Sequence, residues 1–233
     1  MTIKTRIYTV LAVLVLSIST YILTAIYSLA GDTQIRLGSY DFFIPAEYGP
    51  EGFMNLSVRW FTSQFQSDEV AIFSISEEEL SANISGYEVG QGRVSRNIKG
   101  LIRVWNDTQI KELQNPQRYS NLWRGTGRYQ NRQVMQKGEY YQVFRTPKSP
   151  KVWTVLKLNP AEKIPLPDHS FDFWVARCVL QSKPFQRSET FTVCNSYSFV
   201  DNVVVEFYLA EENLRFMDEI RGLIEQKIKR WRS

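Results

Sequence analysis

The feature that most constrains this chain is the run from position 7 to position 30, IYTVLAVLVLSISTYILTAIYSLA, which carries no charged side chain. A helix rises about 1.5 Å per residue, so roughly 20 such residues cross the hydrocarbon core of a bilayer. Lys4 and Arg6 stand just before the run, and Asp32 is the first charge after it. The positive-inside bias then keeps the N-terminus in the cytoplasm and carries the rest of the chain across the membrane. This predicts a cytoplasmic tail over residues 1–6, a single transmembrane anchor over 7–30 in contact with the lipid bilayer, and an extracytoplasmic domain over 31–233. Ser17, Ser19, Thr20 and Thr24 lie inside the anchor, where their hydroxyls can bond back to the helix itself. The competing reading is a cleaved signal peptide, with Ser28 and Ala30 as the small residues ahead of a cut. The apolar run is longer than the about 7 to 15 residues of such a peptide's core. Asp32 follows Ser28-Leu29-Ala30-Gly31 where a lipoprotein would need a cysteine, so no lipid is attached there. Either reading exports the domain.

The exported part is ordinary in charge. With Lys4 and Arg6 set aside, 26 basic and 24 acidic side chains leave it at +2. That balance argues against a nucleic-acid partner. The 14 Phe, 12 Tyr and 6 Trp of the whole chain, all but three of the Tyr in the exported part and set there in short β-branched runs, predict sheet rather than a helix bundle.

The two cysteines, Cys178 and Cys194, fall in two strand-like runs, Phe171 to Gln181 and Glu189 to Phe199. A hairpin centred on Gln186 makes paired residue numbers sum to 372 and sets Cys178 opposite Cys194. One face then reads Phe173, Val175, Val179, Phe191, Val193, Tyr197 and Phe199, apolar apart from Arg177 and Asn195. Agreement of pairing with polarity is what a correct register produces. Opposed cysteines in an oxidising compartment predict a structural disulfide, stabilising by about 3 kcal/mol in the chain-entropy picture.

Elsewhere, Gln34 to Ile44 reads as a strand stopped by Pro45, Phe53 to Phe61 as a second and Val70 to Ile75 as a third. Ser76 with Glu79 is a capping-box spacing that opens a short helix through about Ile84, and Glu77 to Glu79 suit its N-terminal dipole. Leu101 to Trp105 is strand-like, and Thr108 to Leu113 is a helical turn ended by Pro116. Tyr140 to Arg145 and Val152 to Leu158 make another hairpin, followed by a connector with Pro160, Pro165 and Pro167. Val203, Val205, Phe207 and Leu209 point one way along a further strand, which would close a meander with the cysteine hairpin. The chain ends in an amphipathic helix, about Glu211 to Arg232, with Leu214, Met217, Ile220, Leu223, Ile224, Ile228 and Trp231 on one stripe. Gly222 within it implies close packing. The expected fold class is α+β: an N-terminal transmembrane helix, then a mostly antiparallel sheet with the C-terminal helix packed on it.

Chemistry finds little purchase. His169 is the single histidine, which leaves no H-E-x-x-H and no His pair for zinc. No G-x-S-x-G elbow occurs, and the glycines from Gly86 to Gly92 lack the Lys-Ser/Thr of a phosphate loop. Two carboxylates meeting from distant parts of the chain could still act together, but nothing favours a pair. We therefore expect no catalytic residue, no metal and no cofactor. The N-x-S/T triplets at Asn55, Asn83 and Asn106 are near the number that chance supplies.

The most unusual stretch is Arg118 to Lys137, with Arg118, Arg124, Arg128, Arg132 and Lys137 and no acid, interleaved with Tyr119, Trp123 and Tyr129. With the exported part at +2, the remainder must be −3. Arg, Trp and Tyr are the types that dominate interface hot spots. The candidate partner-binding residues are Arg118, Tyr119, Trp123, Arg124, Arg128, Tyr129 and Arg132. The bland alternative is a solvated loop or hairpin whose arginines pair with the surplus acids elsewhere.

The layout of a cysteine hairpin, one more strand and a terminal helix ending at Trp231, with Phe43-Ile44-Pro45-Ala46-Glu47-Tyr48 near the start, resembles small exported bacterial proteins. Some of these are immunity proteins against toxins delivered by type VI secretion. The resemblance implies that the exported domain binds and blocks an envelope-acting toxin, stoichiometrically and without a cofactor. Joined to the anchor reading, the expected place is the inner membrane, single-pass, with the N-terminus cytoplasmic and the main domain periplasmic. It carries no diagnostic motif, so it assigns no site residues. An accessory or assembly subunit of an envelope complex, and an enzyme of the cell wall or a surface polymer, are the alternative functions.

Overall fold

The computed structural model describes residues 32–49, 70–90, 96–146, 151–157, 173–183 and 186–233. The predicted anchor over 7–30, the strand over 53–61, the proline connector, His169 and Asn55 lie outside the described residues. Among the described residues no helix is long and apolar enough to cross a membrane.

Strands β1 (Thr33–Leu37) and β2 (Tyr40–Ile44) form a two-stranded antiparallel sheet. The single strand expected over this region is thus a hairpin. Gly38 at φ +58° turns it, a left-handed conformation that costs a glycine nothing. Val104 lies 3.1 Å from where a Cβ on Gly38 would sit, so a larger residue would also have to push that side chain aside. The hairpin's inner residues, Ile35, Leu37, Phe42 and Ile44, join the main core.

The other strands are β3 (Ala71–Ile75), β4 (Ile98–Val104), β5 (Gln133–Lys137), β6 (Tyr140–Phe144), β7 (Val152–Lys157), β8 (Trp174–Lys183), β9 (Gln186–Val200) and β10 (Val203–Ala210). They form one eight-stranded sheet in the order β3-β4-β10-β9-β8-β7-β6-β5, with every neighbouring pair antiparallel. Strand β5 is an addition to the expected pattern, joined to β6 through a turn at Gly138 with φ +63°.

Helix α1 (Glu77–Asn83) starts where the Ser76 spacing places it, with Ser76 Oγ accepting from the Glu79 amide. The reciprocal half of the box is missing, because the Glu79 carboxylate is bonded to Tyr48 and Lys227 instead. A complete box occurs at Asn106 and Gln109, opening α2 (Asp107–Leu113). Pro116 does not end that turn but begins α3 (Pro116–Arg124), at the position where its missing N–H has no intrahelical partner to lose.

The terminal segment enters as a 3₁₀ turn, Glu211–Phe216, and continues as α4 (Met217–Trp231). Leu214, Met217, Ile220, Ile224, Ile228 and Trp231 are buried against Phe73, Ile98, Ile102, Val203, Val205 and Phe207, so the helix packs on the sheet as its stripe predicts. Gly222 takes no part in this: a Cβ there would have no atom within 4 Å, which corrects the expectation of close packing.

Cys178 and Cys194 are bonded to each other, and the β8–β9 pairs Arg177↔Asn195, Cys178↔Cys194, Val179↔Val193 and Gln181↔Phe191 follow the expected register. The face turned toward α4 is nevertheless the cysteine face. Ala176, Cys178, Cys194, Ser196 and Ser198 are buried there, and their small size lets the helix approach. The supposed apolar face does not continue along β8, because a bulge intervenes. Leu156 pairs Trp174 while Val155 pairs Ala176, leaving Val175 as the extra residue. Val175 joins the main core, and Trp174 is turned to the other side of the sheet.

Candidate partner-binding groove

On the side of the sheet away from α4, a second and smaller core forms from Tyr119 and Leu122 of α3, Val143 of β6, Leu156 of β7, and Phe173 and Trp174. Tyr119 is buried with its ring 5.8 Å from that of Trp174, and Trp174 in turn lies 5.5 Å from Tyr197. The rest of this face is half-covered by strand side chains of mixed character. The part of the face beside α3 forms a groove of about 680 Å³.

Local sequence explains why α3 ends where it does. Asn115 caps its N-terminus by accepting from the Gln117 amide, and Gly125 at φ +70° terminates it in the left-handed region. Arg132 folds back over Gly125, where a Cβ would meet its guanidinium at 2.1 Å, and Nε donates to the Trp123 carbonyl at 2.6 Å. The chain then runs through a 3₁₀ turn, Gly127–Tyr129, that brings Arg128 and Tyr129 to the groove. The Arg118 to Lys137 stretch is therefore a helix, a turn and an edge strand, where the bland alternative had a solvated loop or hairpin.

Its candidate residues take different positions. Tyr119 packs inside the second core, Trp123 lies edge-on to Tyr141 at 5.2 Å, and Arg132 clamps the helix end. Arg124 is exposed on α3, and Arg128 and Tyr129 reach the groove rim. Arg118 lies in α3, and its side chain is outside the described residues.

The groove adds residues that the linear run did not contain: Arg145 from the end of β6, Arg177 of β8, Asn195 and Tyr197 of β9, and Glu206 and Tyr208 of β10. Arg128 sits 5.0 Å and Arg145 6.0 Å from the centre of the Tyr129 ring, so two guanidiniums gather on one aromatic. Arg177 and Asn195 had stood out as the two polar positions on the hairpin face; they were the signal of this groove.

Charge is not balanced here. Among the described arginines, Arg36, Arg96, Arg103, Arg215 and Arg232 each pair with a carboxylate. Arg132 and Arg221 donate to backbone carbonyls. Arg124, Arg128, Arg145 and Arg177 have no carboxylate partner among the described residues. The one acid among the described residues lining the groove, Glu206, already accepts from Asn195 at 2.6 Å and from Tyr208 at 2.9 Å, and lies 3.7 Å from Arg103. Burial, followed by the nearby Glu206 charge, pushes the Tyr197 hydroxyl up to about 12. Tyr208 is raised as well, by burial and by its bond to Glu206, so both phenols are neutral donors at physiological pH.

The floor is braced from the far side. Arg221 of α4 reaches into the sheet, with Nε donating to the Tyr197 carbonyl at 3.1 Å and Nη2 to the Val175 carbonyl at 3.3 Å and Ser196 Oγ at 3.2 Å. Ser196 Oγ itself donates to the Val175 carbonyl at 2.7 Å. The bulge that re-aims Trp174 thus has its exposed carbonyl satisfied. Among the described residues no group of three or more His, Cys, Asp or Glu is placed to hold a metal ion.

No family model and no curated protein matches the chain. In structure it is similar to Smlt3025, an immunity protein of the Stenotrophomonas maltophilia type IV secretion system, with a TM-score of 0.44 and 13% identity over 88% of this chain and 94% of that one. It is also similar to FrpD, an iron-regulated outer membrane lipoprotein of Neisseria meningitidis, with a TM-score of 0.36 and 10% identity over 87% and 93% of the two chains. The secretion system named is of type IV, where the resemblance seen in sequence was to proteins of type VI systems.

Proposed function

We propose that this protein is an extracytoplasmic binding protein, held at the membrane by residues 7–30, whose arginine-lined groove captures another protein in a stoichiometric complex. The single observation that carries the reading is the groove itself. It is a concave site of about 680 Å³ on one face of the sheet, lined by Arg128, Tyr129, Arg145, Arg177, Tyr197 and Tyr208 among others. Tyr and Arg anchors set on a rigid scaffold are what a small binder uses to concentrate affinity. The Cys178–Cys194 bond supports an oxidising compartment such as the periplasm. In the finer form of the proposal the captured protein is an envelope-acting toxin and the complex blocks it, with no catalytic step by this chain.

The test is co-expression of the full chain with the products of its neighbouring genes, scoring toxicity in the envelope and recovery of a complex of fixed stoichiometry. Protection that follows the amount of this protein one-for-one, and is lost on changing Arg177→Glu together with Tyr208→Ala, is the expected result. Protection that is catalytic in amount, or capture that is indifferent to those changes, would overturn it.

A further inference from the structure

Resting on that binding role, we infer that the groove's basic rim is a carboxylate-reading site. Its occupant is an acidic segment of a partner protein, whose Asp or Glu side chains engage Arg128, Arg145 and Arg177.

Three observations lead to this chemistry. The first is that the uncompensated arginines are gathered rather than scattered. Of the arginines whose side chains are described, those with neither a carboxylate nor a carbonyl partner among the described residues are Arg124, Arg128, Arg145, Arg177 and Arg230. Three of these five line one groove, and Arg124 stands on the helix beside it. Five other described guanidiniums, those of Arg36, Arg96, Arg103, Arg215 and Arg232, have found acids, Arg36 binding Asp41 with two 2.7 Å bonds.

The second is pre-ordering. Arg128 Nη2 donates to the Tyr129 hydroxyl at 2.8 Å, and Arg128 and Arg145 both lie against the Tyr129 ring. Stacking on an aromatic restrains a guanidinium without consuming most of its donors, so less side-chain entropy is lost when a carboxylate arrives. The third is the treatment of Glu206. Its bonds to Asn195 and Tyr208 and its proximity to Arg103 hold it to β4, β9 and β10. The described acid of the groove is therefore occupied, and among the described residues an incoming acid meets a net positive rim.

Protein carboxylates fit better than the other anions of an envelope. The arginines sit in a concave site whose remaining lining, Trp174, Val179, Val193 and Tyr197, accepts apolar side chains between the charged ones. A polysaccharide sulfate or a lipid headgroup has no use for that lining. Arginine forks, unlike a diffuse lysine patch, reward planar carboxylates through paired hydrogen bonds.

The experiment uses the full chain in detergent micelles and two synthetic peptides. One alternates Glu with Val and Phe, and the other carries Gln at each Glu position. The Glu peptide is expected to bind, to weaken as NaCl rises, and to lose about tenfold or more in affinity with Arg128→Glu or Arg145→Glu, as charge reversal at a paired contact does. The Gln peptide is expected to bind at least tenfold more weakly. Arg230→Glu, far away on the exposed end of α4, should leave affinity unchanged. Thermal unfolding of each variant within about 1 kcal/mol of the parent confirms that the fold is kept.

Equal binding of the two peptides, or equal loss from Arg230→Glu and Arg145→Glu, would overturn the site. So would stronger capture by heparin or by vesicles of anionic phosphatidylglycerol, competing at the same arginines. The two readings separate cleanly. A protein partner captured regardless of Arg128 and Arg145 leaves the binding function standing and removes this site. Charge-specific peptide binding with no protective complex leaves the site and removes the toxin-blocking function.

Discussion

Lys227 interrupts the apolar stripe of α4, and it is the only charged residue among the described ones to be buried outright. Its ammonium donates to the Glu79 carboxylate and to the Tyr48 hydroxyl at 2.8 Å, and lies 4.0 Å from the centre of the Tyr48 ring. Tyr48 also donates to Glu79 at 3.1 Å and tilts against Trp231. The cluster therefore ties the turn after β2, helix α1 and the terminal helix together. The Lys227 side chain is 7% exposed and that of Glu79 28%, and this asymmetry sets the expected magnitudes. Lys227→Met leaves a carboxylate that water and Tyr48 can still reach, and should cost about 2 kcal/mol. Glu79→Gln leaves a nearly dry ammonium facing a neutral amide, a hydroxyl and a ring, and should cost about 3 kcal/mol, within the usual range for breaking a buried pair. The double variant removes both charges, so its loss should stay near about 3 kcal/mol, giving a coupling of about 2 kcal/mol. Thermal unfolding followed by tryptophan fluorescence, with the disulfide intact, reads these values at about 2–4 °C per kcal/mol for a domain of this size. A double variant whose loss equals the sum of the single losses would refute the reasoning. So would a Glu79→Gln cost below that of Lys227→Met.

Arg221→Met should destabilise by about 2–3 kcal/mol, because the carbonyls of Val175 and Tyr197 lose a charged donor. It should also shift near-ultraviolet circular dichroism as Trp174 loosens; Arg221→Lys, which lacks the fork, should rescue only in part, and an unchanged spectrum would remove Arg221 from the groove's support. Gly100 pairs Phe73 across the sheet, and a Cβ there would stand 2.3 Å from the Phe73 ring. Gly100→Ala should therefore cost about 1–3 kcal/mol in denaturation, and Phe73→Leu should relieve part of it; independent losses would mean the ring moves aside unaided. Tyr197, with its hydroxyl pushed up to about 12, holds a proton that the unfolded chain gives up near pH 10. Stability should then be fully present below pH of about 10 and fall as pH rises toward the folded value, with Tyr87 and Tyr140, raised chiefly by burial, adding to the fall. An ultraviolet titration in which these phenols ionise near 10 while the fold persists would contradict that order.

Elements whose cause is local were legible in the residues. The α4 stripe, the alternation of Val203, Val205, Phe207 and Leu209, and the Cys178↔Cys194 register each follow from a repeat that one segment carries by itself. The face turned inward by the cysteine hairpin was not legible. It depends on one extra residue, Val175, accommodated by pairing with β7 and by a donor from α4, and neither lies nearby in sequence. Lys227 reads as a break in the stripe until Glu79 and Tyr48 are brought to it from more than a hundred residues away.

The groove shows the same division. A run without acids announces surplus charge, but surplus in sequence and surplus in space are different quantities. Arg132 belongs to the run and spends itself on a helix end, while Arg145 and Arg177 lie outside it and complete the rim. Which arginines remain for a partner is decided by how the fold distributes its own carboxylates. Here the acids of β2, β10, the terminal 3₁₀ turn and the β9–β10 turn are engaged with Arg36, Arg103, Arg96 and Arg232. That internal pairing leaves the positive charge of the α3 side exposed as a surface feature, so the basic groove follows from where the chain's acids have been used.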